Sequence, residues 1–188
     1  MRVGPAHQEI EITVEVQPLN SRGIAMQFYF TPLEEADAHA IIAWRYEGPY
    51  AVYNWEDEDD PSDMLDRRSP YYAVRDEQGE LIGFFAYGSS AYVWGSDEPH
   101  LYSENNTITI GLGMRPDLTG KGLGLAFVQA GLDFAREQFK PDYFRLFVLT
   151  YNERAIRVYE RAGFVRMGIY VQRRAEGDRD FLEMRRKA

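Results

Sequence analysis

The stretch Gly111-Leu112-Gly113-Met114-Arg115-Pro116-Asp117-Leu118-Thr119-Gly120-Lys121-Gly122-Leu123-Gly124 constrains this chain more than any other. Thr107 to Met114 before the turn reads as a β-strand. Gly122 to Phe139 after it carries Leu123, Ala126, Phe127, Ala130 and Phe134 on one helical stripe, and Pro141 stops the helix. A strand therefore passes through a short turn into a helix whose start is crowded with glycine. The first turn of a helix presents unpaired N–H groups and partial positive charge, so it attracts anions such as phosphate. Glycine at alternate positions removes the Cβ atoms that would hold a pyrophosphate off that backbone, and Lys121 adds a cation. Close packing of helix on sheet is the competing explanation of the same glycines.

Two familiar phosphate motifs fit poorly. A P-loop needs Lys followed by Ser or Thr after its glycines, and Gly124 is followed by Leu125 and Ala126. The dinucleotide fingerprint places its glycines directly after the strand, not after Arg-Pro-Asp-Leu-Thr. Gly111 and Gly113 lie inside the strand, where glycine often marks a bulge or the close approach of a ligand. Backbone groups freed there suit an extended chain of amides. Pantetheine is such a chain, and it ends in pyrophosphate.

The remaining elements read in order. Ile10, Ile12, Val14 and Val16 alternate with polar residues as a half-buried strand, Pro18 to Gly23 is a turn, and Ile24 to Thr31 is a second strand. Pro32 opens a helix to about Trp44, with Glu34, Glu35 and Asp37 in its first turns. Tyr46 to Arg68 is loop with a short helix. Tyr71–Arg75 and Leu81–Tyr87 form a hairpin around Asp76-Glu77-Gln78-Gly79. The connection Gly88 to Asn106, with Tyr92, Trp94, His100, Tyr102 and Glu104, is long enough to shape a pocket. Tyr143 to Thr150 is a buried strand, Asn152 to Ala162 a helix closed by Gly163, and Val165–Gln172 and Phe181–Arg186 the last strands. This order predicts an α+β fold on one mostly antiparallel sheet. A single domain over residues 1–188 is expected, since no linker or repeat divides the chain.

Composition removes several functions. There is no cysteine, so disulfides, thiolate metal sites and a cysteine nucleophile are excluded. His7, His39 and His100 are scattered, so no metal is expected. A formal net charge of −9 opposes a nucleic-acid surface. No segment has the length and apolarity of a membrane span, and the start of the chain lacks a secretory signal's apolar run, so the cytoplasm is the expected compartment. The acidic run Glu56 to Asp60 is either a solvated loop or a rim that draws in a cationic amine. Tyr46, Tyr50, Tyr53 and Trp55 either line such an amine's pocket or belong to core and loop. The first strand either extends the sheet or pairs with a second copy to give a homodimer.

Thr119-Gly120-Lys121-Gly122-Leu123-Gly124 resembles the Arg/Gln-x-x-Gly-x-Gly/Ala motif of the GNAT acetyltransferases, with Thr119 where that family usually has Arg or Gln. Downstream, Asn152-Glu153-Arg154-Ala155 and Tyr159-Glu160-Arg161-Ala162-Gly163-Phe164 are similar to the family's "Asn-x-x-Ala…Tyr-Glu-x-x-Gly-Phe" segment. The likeness runs from about residue 107 to 164, the expected cofactor-binding core. It implies a mixed, mostly antiparallel twisted sheet flanked by helices on both faces.

It also implies an N-acetyltransferase that uses acetyl-CoA and transfers directly to a primary amine of a small molecule or peptide. Leu112, Gly113 and Met114 would offer backbone groups to pantetheine. Thr119, Gly120, Lys121, Gly122, Leu123 and Gly124 would hold the pyrophosphate. Asn152 would cap its helix near the thioester arm, and Tyr159 would give the thiolate its proton. The family's usual glutamate base falls at about Ile108, which leaves Glu104 or water for that task. A non-catalytic acyl-CoA-binding or sensor module is the alternative.

Overall fold

The structure is a computed structural model that describes residues 12–14, 27–56, 60–66, 68, 70–93, 102–104, 106–175 and 177–188. Within them the strands are β1 (Ile12–Val14), β2 (Phe28–Pro32), β3 (Tyr71–Arg75), β4 (Leu81–Tyr87), β5 (Thr107–Met114), β6 (Tyr143–Leu149), β7 (Val165–Gln172) and β8 (Arg179–Lys187). The helices are α1 (Glu35–Ile42), α2 (Gly124–Phe139) and α3 (Glu153–Arg161). Short 3-10 turns lie at Gly48–Tyr53, Pro61–Leu65, Gly88–Ala91 and Pro116–Leu118. The strands form one sheet in the order β1-β2-β3-β4-β5-β6-β8-β7. Its described pairs are antiparallel except β5 with β6. The α+β architecture expected from the sequence is therefore what the chain adopts.

Sequence patterning accounts for most of this. The β3–β4 hairpin has the predicted bounds, and Gly79 turns it at φ +80°. Pro32 is the last residue of β2 rather than the first of α1. The helix begins at Glu35, after Glu34 N–H donates to Asp37 at 3.3 Å. Asp37 is itself buried and holds Arg75 of β3 at 2.6 Å, which anchors α1 to the sheet. The proposed strand ends Ile10 and Val16, the turn Pro18 to Gly23 and residues Ile24 to Met26 lie outside the described residues.

Adjacent side chains on a strand face opposite ways, and the two sides of the sheet carry separate cores. Phe85 and Tyr87 of β4 pack with Phe28, Phe30, Phe127 and Phe134 beneath α2. Phe30 and Phe134 stack with centroids 4.5 Å apart. Phe84 joins Leu33, Ala38, Ile41, Met64 and Trp44 beneath α1. Burying a side chain of this size stabilises by about 1.5–3 kcal/mol, so these rings fix which helix lies on which face.

Gly131, in the middle of α2, shows how tightly the larger core is set. A Cβ there would lie 2.1 Å from the Phe85 ring. Alanine is the better helix former by about 0.8–1 kcal/mol, but overpacking costs about 1–3 kcal/mol. Gly131→Ala is therefore expected to lower the thermal midpoint, which a calorimetric melt measures; a raised midpoint would contradict this packing.

Candidate active site

Strands β5 and β6 pair over Thr107↔Tyr143, Ile108↔Phe144 and Thr109↔Arg145, and no further. Beyond that point β5 stays with β4 up to Met114, while β6 stays with β8 up to Leu149. Two parallel strands held to different neighbours separate into a V-shaped gap. The register between β4 and β5 is regular across Gly111 and Gly113, so the opening is a splay and not the bulge the glycines suggested. Gly113 has a packing explanation: a Cβ there would lie 2.3 Å from the Phe84 ring.

The gap is polar at its edge. Arg115 N–H donates to Ile82 O at 2.9 Å, toward β4. By the alternation of an antiparallel ladder, the amide groups of Leu112 and Met114 point the other way, into the gap. Tyr46 Oη–H donates to Met114 O at 2.9 Å, which ties the segment after α1 to this edge.

At the end of β5, Gly120 and Gly122 adopt φ +77° and +83°. A left-handed backbone is costly for other residues and routine for glycine. A Cβ at either position would meet nothing within 4 Å, so these glycines face open space. Helix α2 starts at Gly124, two residues later than the periodicity predicts, because Gly122 lies in the turn. Its N-cap, Leu123, offers no side-chain bond, which leaves the first-turn amides open. Thr119 does not cap the helix; its hydroxyl donates to Pro116 O at 2.8 Å.

Helix α3 forms the facing wall. Gly124 sits against Val158, whose Cγ2 would lie 3.2 Å from a Cβ at that position. Asn152 caps α3 by accepting from Ala155 N–H at 3.2 Å, and its amide donates to Tyr53 Oη at 3.0 Å. Tyr159 lines the gap, with its ring edge-on to Phe164. Burial, with Tyr53 adding to it, pushes the Tyr159 hydroxyl pKa well above the ordinary value.

These parts enclose one cleft of about 600 Å³. Leu112, Gly113, Met114, Thr119, Gly120, Gly122, Gly124, Asn152 and Tyr159 all line it. Lys121 is exposed beside the turn, and Leu123 is half-buried there; neither lines the cleft. Wall residues come from both cores, Phe127 and Val128 on one face and Ile41, Trp44 and Phe84 on the other. The cleft thus draws its lining from both faces of the sheet, with the glycine turn at the start of α2 and the aromatic segment joined to the first turn of α3 through Asn152–Tyr53 and Arg154–Tyr50.

Glu104 is placed elsewhere. Both its oxygens accept from Arg185 Nη1, at 2.7 and 2.6 Å, and Arg145 lies 3.9 Å away. It lines a separate cavity of about 440 Å³ with Thr107, Tyr143 and Arg185. Tyr102 belongs to the same end, stacked on Tyr92 at 3.6 Å and facing the Arg145 guanidinium at 4.9 Å. The 88–106 connection therefore brings none of its described residues to the cleft, and Trp94 and His100 lie outside the described residues. Ile108 packs on the large core.

The aromatic mouth was only half legible. Tyr46, Tyr50, Tyr53 and Trp55 all line the cleft, and Trp44 and Phe84 join them. Of the acidic run, Glu56 and Asp60 are exposed and not among the lining residues, and Asp57 to Asp59 lie outside the described residues. Arg154 and Arg161 line the wall and were missed. Their spacing from Val158 places all three on one face of α3, which was the available signal. Among the described residues the lining holds no Asp, Glu or His, and no group of three or more potential metal ligands occurs. No described helix is long and apolar enough to cross a membrane.

The sequence model of the Acetyltransferase (GNAT) family matches residues 35–164. A mycothiol acetyltransferase of Propionibacterium freudenreichii is 35% identical over 105 residues, or 56% of this chain and 28% of that protein. One from Salinispora tropica is 42% identical over 60 residues, 32% of this chain and 20% of that one. The chain thus spans less than a third of the length of these curated relatives. Among solved structures, a chimeric spermidine N-acetyltransferase from Vibrio cholerae superposes with a TM-score of 0.64 at 19% identity, over 85% of this chain and 95% of that one. An acetyltransferase (GNAT family) from Bacillus anthracis gives 0.64 at 16% identity, over 85% and 94%. Likeness at such identities concerns the fold alone.

Proposed function

This chain belongs to the acetyltransferase (GNAT) family, and from that premise we propose that it moves the acetyl group of acetyl-CoA directly onto a primary amine, without an acyl-enzyme. The observation that carries the reading is the single cleft lined both by the open glycine turn and by Tyr159. Acetyl-CoA supplies an acetyl thioester. Gly120, Gly122 and the uncapped start of α2 receive its pyrophosphate, with Thr119, Leu123 and Gly124 completing the turn and Lys121 and Arg161 supplying positive charge. The amides of Leu112 and Met114, on either side of Gly113, pair with pantetheine. Asn152 holds the wall beside the thioester arm.

The acceptor enters from the aromatic mouth, and the new C–N bond forms as the C–S bond breaks. Its nitrogen loses one proton to water, and the thiolate takes the Tyr159 proton, which solvent restores. Holding the two reactants in attack geometry removes about 7–11 kcal/mol of barrier in the best intramolecular cases, more than one proton transfer supplies.

Calorimetric titration with acetyl-CoA tests the reading: saturable heat is expected, and none at millimolar ligand would remove its basis. Release of free thiol across a panel of amines tests the transfer; tight binding without thiol release would favour a sensor module instead.

The chemistry of the walls sets a pH dependence. Only the unprotonated amine attacks, and no carboxylate or imidazole of the described lining is available to deprotonate it. Tyr159, raised by burial, keeps its proton through pH 10. The value of kcat/KM for the acceptor is therefore expected to rise about tenfold per pH unit below the amine's own pKa and then level. No falling limb is expected below pH 10. An inflection that stays fixed while acceptors of different pKa are exchanged would reveal an enzyme base and contradict this.

A further inference from the structure

Resting on the transfer reading above, we propose that the acceptor is an aromatic primary amine that also carries a carboxylate, its ring lying among the cleft's aromatic side chains and its carboxylate on Arg154. The aromatic part of the cleft is walled by Trp44, Tyr46, Tyr50, Tyr53, Trp55 and Phe84. Rings of this kind receive another ring by offset or edge-on contact, and they desolvate it at little loss of side-chain entropy. A flexible chain with several ammonium groups would need carboxylates there to pair its distal charges. Among the described residues none lines the cleft.

The fixed charge at this end has the opposite sign. The Arg154 guanidinium lies over the Tyr50 ring, 4.4 Å from its centroid. No carboxylate among the described residues pairs with it, whereas its neighbour Arg157 is bound to Glu153 at 3.2 Å. Its field reaches Tyr46, whose hydroxyl burial pushes up to about 12 and Arg154 pulls back. A half-buried guanidinium over a ring, with no hydrogen-bond partner among the described residues, is suited to a carboxylate, which it binds in a fixed bidentate geometry. Arg161 also lines the cleft about two turns further along the same face, beyond Val158, which packs on Gly124 at the start of α2; that leaves Arg154 for the acceptor.

The proposal is tested by measuring kcat/KM for phenylalanine, 2-phenylethylamine and spermidine with the unaltered protein, Arg154→Gln and Arg154→Lys, alongside calorimetric titration of each with acetyl-CoA. The expected result is a preference for phenylalanine over both other amines of about tenfold or more. Arg154→Gln should abolish its advantage over 2-phenylethylamine while leaving 2-phenylethylamine itself within about twofold. Arg154→Lys should restore part of that advantage, and acetyl-CoA affinity should not change. A preference for spermidine, equal losses for both aromatic amines, or weakened acetyl-CoA binding in Arg154→Gln would each overturn the assignment. Acetyl-CoA binding with thiol release only on non-aromatic amines would overturn the acceptor class and leave the transfer reading standing. Absence of acetyl-CoA binding would end both.

Discussion

Replacing Tyr159 with Phe is expected to lower kcat by about 100-fold or more while acetyl-CoA affinity stays within about twofold. The ring of Tyr159 packs edge-on to Phe164 at 6.1 Å, and phenylalanine keeps that contact, so the wall is preserved. What is lost is the one hydroxyl of a residue that lines the cleft. Positioned general acids contribute about 10²- to 10⁴-fold, and the lower part of that range applies here. A hydroxyl raised well above its ordinary pKa is a reluctant acid toward a thiolate and acts mainly by a hydrogen bond that strengthens as charge builds on sulfur. Single-turnover measurement of thiol release, beside a calorimetric Kd, separates the chemical step from product release. Unchanged single-turnover rates would remove Tyr159 from the reaction. A parallel rise in Kd would make it part of the acetyl-CoA wall instead.

Legibility in the sequence followed the range of the interactions involved. The β3–β4 hairpin and β5 were readable to the residue because alternation and turn chemistry are local. The start of α2 was misplaced by two residues, since Gly122 continues the helical stripe in sequence but takes φ +83° in space. Proline misled at position 32 for a related reason. It suits both the first turn of a helix and the end of a strand, and its neighbours Tyr72 and Tyr71 on β3 decide for the strand.

Side chains that meet across the fold were the hardest to read. Glu104 is near Ile108 along the chain, yet its carboxylate is held by Arg185 and does not line the cleft. Nothing local to Glu104 announces that partner, because Arg185 comes from β8 at the far end of the sequence. The converse holds for Tyr46, which reaches Met114 O across the cleft, and for Tyr53, which reaches Asn152. Those bonds turn an irregular segment into a wall. They also explain why an aromatic-rich loop was only half distinguishable from core. Its rings serve both purposes, with Trp55 packed on the small core and still lining the cleft.

Substituting Val at Gly122 should weaken acetyl-CoA binding by about 100-fold, and Gly79 supplies the control. Both glycines hold a left-handed backbone, at φ +83° and +80°, and at both a Cβ would meet nothing within 4 Å of protein. Valine therefore imposes a similar strain at each, about 1–2 kcal/mol, and the two variants should lose similar thermal stability. Their surroundings differ. Gly79 turns the β3–β4 hairpin, whereas Gly122 lines the cleft where the first amides of α2 lie open. A branched side chain at 122 would occupy the space a pyrophosphate needs and would disturb the amides that bind it. The hundredfold loss corresponds to about 2.7 kcal/mol, a plausible share for several charge-assisted amide bonds. Calorimetric titration of both variants with acetyl-CoA decides the matter: Gly79→Val should bind as the unaltered protein does, and Gly122→Val about 100-fold more weakly. Equal affinities would show that backbone strain alone had been probed and that the glycine turn holds no phosphate.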